Sequence, residues 1–282
     1  MRNLSTAALE FAHTKAETPS TAKEPLVIVH GLFGSKQNWR AISKQLSRTL
    51  NRDTYSVDLR NHGDSLHMEP HSYEAMSADI VRFIGDHELG KPVLMGHSMG
   101  GKVVMLTALD RPDLVSQLIV DDIAPMQLEL THDFAAYVAK LGEIERANVT
   151  SQKVADQMLA EVEPDISVRQ FLLTNMKKVR DPAAEGGVKG AYKSRIPLEL
   201  LGRSLGDIMA WQVDPGLAYE GPTLFIGGKR SLHINPRAYP AMKRHFPNYE
   251  LQELDTGHWV HAEMPREFME LVEAFVTRNG SA

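Results

Sequence analysis

The chain has 282 residues, 43% of them hydrophobic and 24% charged, with a net charge of −5. These are ordinary proportions for a globular protein, and the acidic balance argues against a nucleic-acid surface. The absence of cysteine excludes disulfides, thiolate metal sites and a cysteine nucleophile, and no apolar run approaches the ~18 residues that a membrane-spanning helix needs.

From the N-terminus, Met1-Arg2-Asn3-Leu4-Ser5-Thr6 lacks the apolar core of a secretory signal, and Glu10 and Glu17 make a poor transit peptide. Leu26-Val27-Ile28-Val29-His30 is a nearly continuous apolar run, as expected of a central parallel strand covered on both faces. Thr54 to Asp58, Val93 to Gly96, Gln117 to Asp121, Pro222 to Gly227 and Tyr249 to Leu254 read as further strands alternating with helices. That alternation defines an α/β protein with a mostly parallel central sheet and helices on both faces. Met264 to Arg278 closes the chain as a helix, with Phe268, Leu271, Val272 and Phe275 at helical spacing.

The alternation lapses between about Pro125 and Pro215. Phe134, Tyr137, Val138 and Leu141 form one helical stripe, and Val154, Met158, Leu159 and Val162 another, stopped by Pro164. Asp181 to Gly187 reads as a loop. The predicted organisation is a core in two parts, residues 1–124 and 216–282, around an inserted helical cap, residues 125–215. The cap carries Met126, Met158, Met176 and Met209, candidates for an adaptable acyl pocket or for core filling.

Gly96-His97-Ser98-Met99-Gly100 follows the apolar run Pro92-Val93-Leu94-Met95. A G-x-S-x-G sequence between a buried strand and a helix holds serine on a sharp turn, exposed for nucleophilic attack. Gly202-Arg203-Ser204-Leu205-Gly206 matches the same pattern, but it follows the helix formers Leu198-Glu199-Leu200-Leu201. Context therefore selects Ser98. A serine needs a base, and the base needs an orienting acid. His258, on the loop after the last strand, is the candidate base; His261 reads as a surface or helix-capping histidine. Gly227 to Pro236, after the penultimate strand, contains no carboxylate. The acid is then Asp122, at the carboxyl end of the preceding strand, with Glu199 in the cap as the alternative. An oxyanion needs backbone donors: Met99 N–H, and an N–H from the Gly31-Leu32-Phe33-Gly34 loop, Leu32 first and Phe33 second. Asn61-His62-Gly63-Asp64-Ser65 reads as a polar turn. No phosphate loop, metal-ligand helix or dinucleotide fingerprint is present.

Taken together, His30-Gly31-Leu32-Phe33-Gly34-Ser35, Arg60-Asn61-His62-Gly63-Asp64-Ser65, Gly96-His97-Ser98-Met99-Gly100-Gly101-Lys102, Asp121-Asp122-Ile123-Ala124-Pro125 and Gly257-His258-Trp259 resemble the α/β-hydrolase superfamily. The likeness is to its mitochondrial abhydrolase-domain-eleven branch, with bacterial esterases and yeast ethanol acetyltransferases among the relatives. It runs from about Leu26 to Phe275. It implies an α/β-hydrolase fold and a serine esterase, lipase or thioesterase without a cofactor or metal. It also implies a small acyl ester or thioester substrate, with acyl transfer from acyl-CoA to an alcohol as the alternative activity. A non-catalytic ligand-binding protein on the same fold is the alternative of another class. The family motif places the acid on Asp122; in some animal members it lies in the cap, near Glu199. The branch implies a mitochondrial location, which the N-terminus does not display, or otherwise a cytoplasmic one.

Overall fold

The structure is a computed structural model and describes residues 5–18, 23–128 and 132–280. Seven strands form the main sheet: β1 (Phe11–Thr14), β2 (Leu26–Val29), β3 (Thr54–Val57), β4 (Val93–His97), β5 (Gln117–Asp121), β8 (Thr223–Gly228) and β9 (Tyr249–Leu254). The order across it is β1-β3-β2-β4-β5-β8-β9. Only β1 runs antiparallel, along the edge beside β3. Its sequence, Phe-Ala-His-Thr, is half-buried and lacks an apolar run, so periodicity does not announce it. The parallel strands occur where expected.

Alternation along each strand divides the apolar residues between two layers. Val27 and Val29 of β2, Leu94 of β4 and Leu118 and Val120 of β5 face one core. Leu26 and Ile28, Val93 and Met95, and Ile119 face the other. The first layer is covered by α2 (Tyr73–Asp86) and α3 (Met99–Asp110), and the second by α1 (Arg40–Leu50) and α11 (Pro265–Asn279). Helix α3 is buried around almost its whole circumference, which its run Val103-Val104-Met105-Leu106 permits. Ser72 starts α2 by accepting a hydrogen bond from Ala75 N–H.

Between β5 and β8 lie α4 (His132–Arg146), α5 (Gln152–Leu159), α6 (Ile166–Leu173), α7 (Pro182–Glu185) and α8 (Leu198–Met209). This segment is not wholly helical: β6 (Met176–Lys178) and β7 (Tyr192–Ser194) pair as an antiparallel hairpin. The second stripe also ends earlier than expected, because α5 stops at Leu159, five residues before Pro164. Within the expected loop, Asp181 caps the short turn α7 through Ala183 N–H. The remaining helices, α9 (Tyr239–His245) and α10 (Val260–Glu263), flank β9. Because the sheet is parallel from β3 to β9, the chain segments after β2, β3, β4, β5, β8 and β9 all emerge on one edge, where open α/β sheets place their ligands.

Candidate active site

The turn from β4 into α3 places Ser98 at φ 52°, ψ −118°. This is a backbone region that non-glycine residues avoid, and it persists only when surrounding structure enforces it. The enforcement is visible: Ser98 N–H donates to Asp121 O at 3.0 Å, and α3 packs so tightly beneath β2 that a Cβ on Gly100 would lie 2.4 Å from His30 O. Phe33, Asn61 and Asp122 also have positive φ, 62°, 68° and 47°. Strained backbone is thus concentrated along the sheet edge that holds the site.

His258 Nε2 lies 3.0 Å from Ser98 Oγ, and His258 Nδ1 lies 2.7 Å from Asp122 Oδ2. With the Asp122 carboxylate able only to accept, Nδ1 carries the proton and donates, leaving Nε2 to accept from the serine hydroxyl. Asp122 also accepts Gly228 N–H on Oδ1 at 2.9 Å and the Ser231 hydroxyl on Oδ2 at 2.5 Å. A Cβ on Gly228 would meet Gly257 O at 2.1 Å, so glycine is what lets the end of β8 approach the His258 loop. Burial pushes the Asp122 carboxyl up from its ordinary value, opposed by the Gly228 and Ser231 hydrogen bonds. Burial, reinforced by the nearby His261, pushes His258 down to about 3, so the resting imidazole is neutral.

Glu199 is not brought to this imidazole. It lies in the first turn of α8, its side chain 88% exposed, 3.7 Å from the Arg203 guanidinium. Ser204 also sits within α8, where its hydroxyl donates to Leu200 O. Of the two G-x-S-x-G sequences, only that of Ser98 follows a strand.

Leu32 and Met99 line the same small cavity as Ser98. Among the described residues neither N–H has a protein acceptor. The Phe33 N–H differs: it donates to His62 Nε2 at 3.2 Å, which removes it from the oxyanion donors. The Phe33 carbonyl accepts from Asn175 Nδ2 at 2.8 Å. Asn175 lies just beyond α6, so the loop after β2 is gripped from below by His62 and from the inserted segment by Asn175. The cavity has room for about one water-sized group and is lined also by Tyr73, Phe134, Met209 and His233. Of the four methionines of the inserted segment only Met209 reaches it; Met126, Met158 and Met176 pack into the core.

Asn61 to Ser65 is more than a polar turn. Arg60, Asn61 and His62 are fully buried. Arg60 forms a double hydrogen bond with Asp79 at 2.6 and 2.7 Å, and His62 Nδ1 donates to Arg60 O. Asp58 accepts from Lys36 Nζ and from Asp64 N–H. The segment is the floor beneath the loop after β2. His261, too, departs from expectation. It is 7% exposed, donates from Nδ1 to Asp121 Oδ2 at 2.6 Å and stacks on Trp39. His97, buried between the two networks, donates from Nε2 to His258 O at 2.9 Å.

Two sets of three side chains, His97/Asp121/His261 and Asp122/His233/His258, converge closely enough to be tested as cation sites. Their shortest His–Asp contacts, 2.6 and 2.7 Å, are N–H···O lengths. Donors ~2.0 Å from a tetrahedral ion stand ~3.3 Å apart, so both sets are hydrogen-bonded networks as they stand.

The fold and this edge of the sheet define an α/β hydrolase. The alpha/beta hydrolase fold family model matches residues 24–265, and the chain belongs to that family. It is 40% identical to a probable alcohol acetyltransferase of Saccharomyces cerevisiae, over 91% of this chain and 78% of that one. It is 39% identical to the zebrafish (Danio rerio) sn-1-specific diacylglycerol lipase ABHD11, over 89% and 78%. Among solved structures, a marine microorganism esterase superposes with a TM-score of 0.85 at 31% identity, covering 96% of this chain and all of that one. The acid network also contains two residues the sequence did not single out, Ser231 and His233. The only signal available was the missing carboxylate after β8, a position filled here by a hydroxyl and an imidazole.

Proposed function

We propose that this protein is a serine hydrolase of carboxylic esters or thioesters, working through Ser98, His258 and Asp122. The observation that carries the reading is the continuous hydrogen-bonded line from Ser98 Oγ through His258 to Asp122, beside two unpaired amides. Ser98 Oγ attacks the acyl carbonyl carbon as its proton passes to His258 Nε2. The Leu32 and Met99 N–H groups receive the developing oxyanion. Asp122 holds the proton on Nδ1 and stabilises the imidazolium. His258 then protonates the leaving alcohol or thiol, and water, deprotonated by His258, releases the acid from Ser98. The names of the lipase and esterase relatives support this reading.

Transfer of the acyl group to an alcohol is the second reading. It is favoured by the narrow, covered cavity, which limits access of bulk water, and by the name of the yeast acetyltransferase relative. The likeness to a mitochondrial branch extends the proposal to a mitochondrial location, to be tested by fractionating source cells.

The direct test is hydrolysis of p-nitrophenyl esters from acetate to decanoate by wild type, Ser98→Ala and Ser204→Ala. Activity abolished in Ser98→Ala and retained in Ser204→Ala is expected, with a short-chain optimum. Activity that survives Ser98→Ala would overturn the mechanism.

A further inference from the structure

His233 lies outside the line from Ser98 to Asp122, yet it is stacked on the base of that line. The imidazoles of His233 and His258 are 3.9 Å apart and tilted by only 19°. Both turn Nδ1 towards Asp122 Oδ2, at 2.7 Å for His258 and 3.8 Å for His233. His258 presents Nε2 to Ser98, and the His233 ring stacked on it lines the same cavity as Ser98.

The protons can be counted. Asp122 as a carboxylate only accepts, so the 2.5 Å contact from Ser231 uses the serine's single hydroxyl proton. Ser231 Oγ has none left for His233 Nδ1, 3.0 Å away. His233 Nδ1 therefore carries the proton and donates to Ser231 Oγ. Nε2 is left as a bare lone pair, with no protein donor among the described residues. Burial and the neighbouring His258 push His233 down to about 3, which keeps that lone pair unprotonated. The charged and titratable groups around the ring are His258, Asp122 and Lys102.

A nucleophile attacking an acyl group on Ser98 gives one proton to His258 Nε2. Water has a second O–H proton and a monohydric alcohol does not. Building on the serine-hydrolase reading above, we propose that His233 selects water over alcohols as the acyl acceptor, its Nε2 accepting the second O–H of the attacking water. The new bond joins water oxygen to the acyl carbon and the Ser98 Oγ–carbon bond breaks. His258 returns its proton to Ser98. The second water proton stays on oxygen throughout, so His233 orients the nucleophile without titrating. His233 is 24% exposed, so water can satisfy that lone pair; an alcohol in the same place would displace the water with an alkyl group and leave the lone pair unpaired, which is costly. His233 is thereby a specificity-determining residue that sets the balance of hydrolysis and transfer.

The test is the product ratio from a common acyl-enzyme. Wild type, His233→Phe and His233→Gln are given p-nitrophenyl acetate or phenyl acetate at one fixed ethanol concentration, and ethyl acetate and acetate are quantified. Phe keeps the stacked ring and removes the lone pair; Gln offers an amide oxygen near the Nε2 position. Losing one acceptor should raise the ethyl acetate to acetate ratio about tenfold in His233→Phe, with Gln returning most of the way to wild type. Labelling of Ser98 by a fluorophosphonate needs no acyl acceptor and reports that each variant folds with a reactive serine, while the product ratio compares the fates of one acyl-enzyme and does not depend on how fast it forms. A ratio unchanged in His233→Phe, or shifted equally in both variants, overturns the proposal. A wild-type ratio that differs between the two leaving groups, or failure of the label to reach Ser98, removes the acyl-enzyme itself, and the proposal falls with it.

Discussion

Replacing Asp122 by Asn is the sharpest test of the acid, because the structure dictates which way the amide must turn. The carboxylate has one fixed donor on Oδ1, the backbone N–H of Gly228, and two adaptable ones on Oδ2, His258 Nδ1 and the Ser231 hydroxyl. An amide nitrogen facing Gly228 would oppose two donors, and the backbone cannot respond; an unpaired buried donor costs about 1–3 kcal/mol. Facing the other side, it meets groups that can respond: His258 moves its proton to Nε2, and the Ser231 hydroxyl turns to accept. The amide nitrogen therefore goes to His258, which then meets Ser98 with a proton instead of a lone pair. The same tautomer inversion in serine proteases costs about 10⁴-fold in kcat, or about 5 kcal/mol of barrier. The assay is kcat/KM on p-nitrophenyl acetate, with thermal unfolding alongside. Because every hydrogen bond is remade, Tm should move by only a few degrees. Activity within tenfold of wild type would refute the assignment, and a large loss in Glu199→Gln instead would transfer the role to the cap.

Two further outcomes follow from the surroundings of the site. His71 is held down to about 4, and His97, His233, His258 and His261 to about 3, chiefly by burial. Unfolded histidine titrates near 6.5, so below that pH the unfolded chain binds more protons. Stability is full above about pH 6.5 and falls as the pH drops towards the folded values. From pH 7.5 to 5.5 each such histidine removes about 1 kcal/mol. Asp121, raised to about 8 by burial, acts in the opposite direction and returns about 2–3 kcal/mol over the same range. Over these six groups the balance is a loss of a few kcal/mol, to which the buried His30 and His62, also held down, add and which the raised Asp79 and Asp122 offset; the expected reading is a falling Tm in calorimetry, and a Tm that holds or rises on acidification contradicts it. Asn175→Ala should loosen the Phe33 carbonyl and with it the Leu32 donor, lowering kcat on p-nitrophenyl acetate about tenfold with little change in KM. An unaltered kcat would mean that the oxyanion loop needs no grip from the inserted segment.

The parallel strands and the strand-to-helix turn that carries Ser98 were legible in sequence because each rests on local pattern. Leu26 to Val29 has no polar interruption, and Ser98 sits between an apolar strand and a helix that opens on Gly100 and Gly101. Asp122 was reachable by elimination, since the stretch after β8 has no carboxylate. What escaped was chemistry assembled across the chain. Ser231 and His233 acquire meaning only beside Asp122, more than a hundred positions away. His62 looks like part of a turn until Phe33 N–H is seen to end on its ring. His261 passes for a surface histidine because its partner, Asp121, lies on another strand. The edge strand β1 and the β6–β7 hairpin escaped for a different reason: strands of three or four half-exposed residues carry too little alternation to read.

The adjacent carboxylates Asp121 and Asp122 pose the last question, because neighbouring like charges in a buried site oppose each other's ionisation. Successive side chains of an extended strand point to opposite faces. Asp121 keeps that geometry in β5 and meets His261 beneath the Trp39 ring. At Asp122 the backbone turns to φ 47° and its N–H donates to Ile226 O, which swings the second carboxylate to His258. Burial, with the Asp122 charge added to it, pushes Asp121 up to about 8. Near neutral pH Asp121 is then mostly uncharged, and the negative charge of the pair resides on Asp122, where it stabilises the imidazolium. Asp121→Asn therefore exchanges one neutral group for another of the same shape and should keep kcat/KM within about tenfold, against about 10⁴ for Asp122→Asn. Measuring both variants on one ester decides the matter. Comparable losses would mean that the charge is shared between the two carboxylates, and that the imidazole–carboxylate pair behind the site takes part in the chemistry in front of it.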